Sequence, residues 1–257
     1  MKIKVLGCYG GEVPGKYISG FLLGEDTLVD AGTIGLNLEL KAQRKLRNIL
    51  ISHPHLDHIC ALPFLGGNVL SNKSESLKIV GAKFSLEAIK KYIMNGTVWP
   101  DFTKIKNQAG APVFSYMPIS YLKWVTIGKY KIKAIPVNHT VPTNGYLIGE
   151  GDSYMLYSGD TKTTEAIWQE GKKLGTKLKA IFVETSFPNE RADLADKTGH
   201  LTPAVLEAQL KKIGDKAKPK IFIYHIKPEY QQQVEKELKK IKGFDLTLVK
   251  QGNTYTI

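Results

Sequence analysis

The chain has 257 residues, of which 42% are hydrophobic and 23% charged; this balance excludes intrinsic disorder and allows a sizeable core. Thirty-six Lys and Arg against twenty-four Asp and Glu give a formal charge of +12, a field that favours anionic partners and equally fits a lysine-rich solvated surface. Two cysteines, Cys8 and Cys60, exclude a disulfide framework and a Cys-x-x-Cys metal site, and no apolar run is long enough to span a bilayer, so with residue 1 as the native start the expected home is the cytoplasm.

Lys2 to Leu6, Ile18 to Leu23 and Thr27 to Asp30 read as three short strands broken by Gly10-Gly11, Pro14-Gly15 and Glu25-Asp26. Asp30, followed by Ala31-Gly32, can turn its carboxylate onto neighbouring backbone N–H groups or serve as a turn aspartate. Ile34 to Leu46 has helical spacing. Asn48 to Ser52 is then a buried strand that delivers His53, His55, Asp57 and His58, four ligand-type side chains within six residues.

Ile59 to Leu65 suits a helix, Leu77 to Val80 a strand and Phe84 to Met94 an amphipathic helix. Residues 95–120 are rich in Gly, Pro and aromatics without a clear period, a packed loop or a lid, with a pocket-forming role slightly favoured. From Tyr121 the chain reads as strands over Tyr121 to Ile127, Lys131 to Val137, Tyr146 to Gly149 and Tyr154 to Tyr157. Helix Thr164 to Lys173, strand Ala180 to Glu184 and a polar loop follow. Pro203 to Ile213 is a helix with Thr202 as its N-cap, and strand Lys220 to Tyr224, helix Glu229 to Ile241 and strand Asp245 to Lys250 complete the pass. No linker, low-complexity tract or short repeat interrupts residues 1–257, which therefore read as a single domain.

The six histidines are not scattered. His139, Asp160 and His225 each lie just beyond a strand, as the His53 to His58 cluster does, and His200 lies in the loop before the Thr202-capped helix. Sites in α/β folds gather at such strand ends. In His53-x-His55 two imidazoles can chelate one ion, while Asp57 and His58 open a new turn toward a second. Imidazole and carboxylate without thiolate suit zinc, with manganese or iron as alternatives, and Asp160 can bridge two ions.

His-x-His-x-Asp-His after an apolar strand, with Asp30 upstream and His139, Asp160 and His225 following in order, resembles the metallo-β-lactamase superfamily. The resemblance implies an α/β fold, a four-layer αβ/βα sandwich with a dinuclear metal site at one edge. Within it, Ser52 to Ile59, Glu184-Thr185-Ser186-Phe187-Pro188, Gly199-His200-Leu201-Thr202-Pro203 and Tyr224 to Pro228 resemble the class II 3′,5′-cyclic nucleotide phosphodiesterases. Cys60-Ala61-Leu62 departs from the family, which more often has a small residue in place of Cys60 or Ala61.

The likeness implies that His53, His55 and His139 hold one divalent ion, that Asp57, His58 and His225 hold another, and that Asp160 bridges them. Asp30 would order the loop that carries the first four ligands. Asp57, Glu184 and His200 form the implied catalytic set: a bridging hydroxide attacks phosphorus and His200, oriented by Glu184, protonates the leaving 3′-oxygen. The expected partner is a small cyclic nucleotide, with nucleic acid ranked behind it, no membrane, and a homodimer allowed for. Two rivals stand beside this reading. The tRNA 3′-end nuclease tRNase Z has a Glu…His pair resembling Glu184 and His200, although no compact Gly/Pro/basic insertion here clearly supplies its tRNA-gripping arm. The other is a basic nucleic-acid-binding protein with structural metals.

Overall fold

The computed structural model describes residues 1–71 and 75–257. β1 (Lys2–Gly7), β2 (Gly20–Leu23), β3 (Thr27–Ala31), β4 (Asn48–Ile51), β5 (Leu77–Gly81) and β6 (Phe114–Pro118) build one sheet. β7 (Trp124–Ile127), β8 (Tyr130–Val137), β9 (Thr143–Glu150), β10 (Ser153–Tyr157), β11 (Leu178–Glu184), β12 (Lys220–Tyr224) and β13 (Leu246–Leu248) build the other, and β14 (Thr254–Thr256) returns to pair with β1. The orders are β14-β1-β2-β3-β4-β5-β6 and β13-β12-β11-β10-β9-β8-β7.

Each sheet is half antiparallel meander and half parallel. β1, β2 and β3 pair antiparallel before β3 to β6 run parallel, and β7 to β10 pair antiparallel before β10 to β13 run parallel. All four residues of β4 are buried, as a strand covered on both faces requires. In β4, Leu50 faces the layer between the sheets, among Phe21, Tyr146 and Phe182, while Ile49 and Ile51 face the outer layer with Leu62 and Leu65.

The outer layers are helical. α1 (Leu40–Gln43), α2 (Leu56–Ile59), α3 (Leu62–Val69) and α4 (Lys83–Ala88) belong to the first half, and α5 (Ala166–Lys173), α6 (Ala192–Thr198), α7 (Pro203–Leu210) and α8 (Gln231–Leu238) to the second. Trp168 of α5, Leu206 of α7 and Val234 of α8 are buried against the outer face of the second sheet. Gln209 ties this layer together: its Oε1 accepts from the Trp168 indole at 2.9 Å and from the Thr164 amide at 3.0 Å. Helix–sheet–sheet–helix layering is the expected four-layer sandwich. Among the described residues no helix is long and apolar enough to cross a membrane.

Several sequence expectations change. Ile34 to Leu46 forms a helix only over Leu40–Gln43, because buried Ile34 and Leu38 are anchored through turns; their spacing mimics a helix. The 84–94 helix begins at Lys83 and passes into a π-turn over Ile89–Ile93. Residues 95–120 are largely structural: Phe102 and Phe114 are core residues in mutual edge contact, Trp99 donates its indole N–H to Pro63 O, and Phe114–Pro118 is strand β6. These aromatics follow the packed-loop alternative. α6 and β14 were not expected. Thr202 caps α7 as expected, its hydroxyl accepting from Val205 N at 3.5 Å.

Candidate metal centre

β3 and β4 from one sheet, and β8, β10, β11 and β12 from the other, end at a common edge. Each hands over one part of the cluster. β3 carries Asp30, and the turn after β4 carries His53 and His55 before α2 presents Asp57 and His58. His139, Asp160 and His225 follow β8, β10 and β12, and Glu184 is the last residue of β11. His53, His58, Asp160, Glu184, His200 and His225 are buried.

The ligand-type atoms form two groups. His53, His55 and His139 bring one side-chain atom each within 4.8 Å of one another, and Asp57, His58, Asp160 and His225 do the same. Asp160 also lies within that reach of His139 and His200. His58 Nε2 is 3.3 Å from His225 Nε2 and 3.3 Å from Asp160 Oδ2; His225 Nε2 is 3.3 Å from Asp57 Oδ2; and His139 Nε2 is 3.2 Å from His55 Nδ1. Ligands 2.0–2.1 Å from a tetrahedral ion would stand ~3.3–3.4 Å apart, close to these separations.

The distal nitrogens are held by partners that leave the facing nitrogens bare. His58 Nδ1 bonds Asp30 Oδ2 at 2.8 Å and His139 Nδ1 bonds Gly199 O at 2.9 Å. Buried His53 Nε2 and Asp160 Oδ1 have no hydrogen-bond partner among the described residues. An unsatisfied buried polar atom costs about 1–3 kcal/mol, and lone pairs converging on one volume suit a cation. The donor set fits divalent metal ions.

Electrostatics agree. Burial pushes His53, His55 and His139 below the ordinary histidine value, favouring the neutral ligand form. Burial opposes charge on His58 as well, but Asp160 and Asp30 outweigh it and hold His58 well above that value. Burial would raise Asp57, yet the His225 hydrogen bond and neighbouring histidines keep it well below the usual carboxylate range. Asp160 is held down likewise, His225 and His58 outweighing its burial.

Two backbone features shape the edge. Asp30 (φ 55°) and His225 (φ 65°) adopt the left-handed region without being glycine. Gly10 lies so close to His225 that a Cβ there would sit 2.7 Å from its Nδ1, and Gly199 combines φ 76° with a Cβ position 2.6 Å from His139 Nδ1. Only glycine fits such approaches.

The Glu184–His200 pair is assembled beside the cluster. His200 Nδ1 is 3.0 Å from Glu184 Oε1, which also accepts from the Thr161 and Leu201 amides at 3.1 and 3.2 Å. Burial works against charge on His200, but Glu184 prevails and raises it. Every sequence-predicted site residue thus lies at one edge. The sequence reading passed over Ser52, Tyr157 and Ser186 as individual residues: Tyr157 Oη donates to Asp30 Oδ2 at 2.6 Å, and both serines contact a carboxylate and a histidine. The only sequence signal of the two serines is a hydroxyl one or two positions from a site residue, and Tyr157 is three from Asp160.

Residues 37–242 match the cAMP phosphodiesterases class-II. The chain belongs to this family. A probable 3′,5′-cyclic-nucleotide phosphodiesterase of Yersinia pestis is 26% identical over 233 residues, covering 82% of this chain and 64% of that protein. A ribonuclease Z of Pyrococcus abyssi is 31% identical over 142 residues, covering 55% of this chain and 41% of the relative. The chain thus spans less than two thirds of the length of either curated relative. The metallo-β-lactamase fold protein YhfI of Bacillus subtilis superposes with a TM-score of 0.77 at 20% identity, covering 99% of both chains. The fold of this family member is the metallo-β-lactamase sandwich.

Proposed function

We propose that this chain is a phosphodiesterase that hydrolyses 3′,5′-cyclic nucleotides to 5′-nucleoside monophosphates with two divalent ions, zinc foremost. The observation that carries the reading is the hydrogen-bonded Glu184–His200 pair standing beside a seven-residue ligand set, of which His53, His58, Asp160 and His225 are buried. His53, His55 and His139 would hold one ion and Asp57, His58 and His225 the other, with Asp160 common to both. When bound, such ions lower the pKa of water and neutralise charge on a phosphoryl group. His200, its Nδ1–H fixed on Glu184, offers its other nitrogen to protonate the departing 3′-oxygen. Glu184 holds that orientation as an acceptor, since backbone amides and the imidazole all donate to it.

The first test is metal content and turnover on cyclic AMP, cyclic GMP and bis-p-nitrophenyl phosphate. Asp160→Ala and His55→Ala are expected to lose metal and activity together; full activity in a metal-free protein would sink the scheme. A second reading is tRNase Z-like RNA 3′-processing, favoured by the +12 charge and the ribonuclease Z relatives. Faster cleavage of a 3′-extended tRNA than of any cyclic nucleotide would replace the first reading with the second.

A further inference from the structure

Ser52 and Ser186 occupy matching places in the two halves of the site. Ser52 follows β4 of the first sheet and Ser186 follows β11 of the second, and both are fully buried. Ser52 Oγ is 2.8 Å from Asp30 Oδ2 and 3.0 Å from His53 Nδ1. Ser186 Oγ is 3.0 Å from Glu184 Oε2, 3.0 Å from His225 Nδ1 and 3.2 Å from His200 Nδ1. The same order, carboxylate then serine then histidine, occurs on each side.

A hydroxyl has one hydrogen, and an ionised carboxylate can only accept. Asp30 receives hydrogen bonds from Ser52 N, His58 Nδ1 and Tyr157 Oη as well, so it acts as an acceptor on every side. Glu184 Oε1 is likewise surrounded by donors. Ser186 Oγ also lies 3.0 Å from His225 O, but a charged acceptor binds the single hydrogen more strongly than a neutral carbonyl. Each serine therefore donates to its carboxylate and is left with lone pairs alone for the ring nitrogen beside it.

We propose that Ser52 and Ser186 are positioning residues that hold the Nδ1–H of His53 and His225 and so turn their Nε2 atoms to the cluster. Those are the nitrogens that face the cluster: His53 Nε2 lacks a partner among the described residues, and His225 Nε2 stands 3.3 Å from both Asp57 Oδ2 and Asp160 Oδ2. One serine serves each ligand group, and Ser186 additionally joins the Glu184–His200 pair to His225. The inference rests on the proposed metal-ligand roles of the histidines; its test reads ring protonation and metal binding.

In metal-free, 15N-histidine-labelled full-length protein, long-range 15N–1H spectra report which ring nitrogen carries hydrogen. His53 of the parent is expected to carry its hydrogen on Nδ1 alone, and His225 on Nδ1 as well as on the Nε2 that faces two carboxylates; an Nδ1 without hydrogen on both overturns the proposal without any variant being made. Ser186→Ala should remove hydrogen from His225 Nδ1 and weaken binding of one zinc ion about 10- to 100-fold, with Ser186→Thr restoring both. Ser52→Ala should do the same to His53 and the other ion. Unchanged ring protonation and zinc isotherms in both alanine variants would overturn the inference. A parent that binds zinc but hydrolyses no cyclic nucleotide would refute the proposed activity alone. A parent that takes up no metal would refute the ligand assignment, and the ring protonation would still decide the role of the serines.

Discussion

Asp30 shows how much one side chain can organise. Its sequence context allowed a simple turn aspartate, yet its carboxylate accepts from Ser52 N, Ser52 Oγ, His58 Nδ1 and Tyr157 Oη from a backbone at φ 55°. A non-glycine residue held there costs about 1–3 kcal/mol; charge-assisted hydrogen bonds of about 1.5–3 kcal/mol each can offset that. His200 acts differently, since its proposed role requires only that Glu184 hold one nitrogen and leave the other free. His200→Ala is therefore expected to bind both ions like the parent while turnover of cyclic AMP falls about 10²- to 10⁴-fold. Elemental analysis beside steady-state kinetics reads both quantities, and full turnover with both ions bound would remove His200 from the chemistry.

At the level of elements, the strands that end at the site were legible, and several flanking pieces were not. β4 is a short apolar run that stops at the His53 to His58 cluster and β12 one that stops at His225, so composition marked both strands and the candidate ligands that follow them. β6 is a strand because β5 pairs with it from Leu77 to Gly81; its own sequence, Phe114-Ser115-Tyr116-Met117-Pro118, lacks alternation. Ile34 and Leu38 misled in the opposite direction, their helical spacing being satisfied by turns. The serine contacts were hidden for another reason: Ser52 meets Asp30 across 22 residues and Ser186 meets His225 across 39, separations that only the sheet order closes. The α5–α7 layer offers a stability test away from the site. Gln209→Leu keeps the volume but strands the Trp168 indole and Thr164 amide, at about 1–3 kcal/mol for each. Urea unfolding should register the loss, and unchanged stability would show that water or another group replaces the amide oxygen.

On the scale of the whole molecule, the +12 charge separates small from large substrates. A cyclic nucleotide carries one phosphate charge, so its KM should change by less than about fourfold between 50 and 200 mM salt; a polyanion held at 6–10 phosphates would lose about 10³- to 10⁵-fold in affinity. Initial-rate kinetics across that range checks it, and a steep slope for cyclic AMP would mean that distant lysines take part in binding the nucleotide. The position of the candidate centre has a consequence for the fold itself. His53, His55, Asp57 and His58 come from one sheet's side of the site, and His139, Asp160 and His225 from the other's, so an ion shared among them, as proposed, would be a clasp across the seam. Its binding free energy adds to the cohesion of the two halves, about 4.1 kcal/mol at a thousandfold excess over Kd. On the proposed metal reading, the metal supply of the surroundings would be a state variable of the fold, setting how firmly the two sheets stay closed on one another.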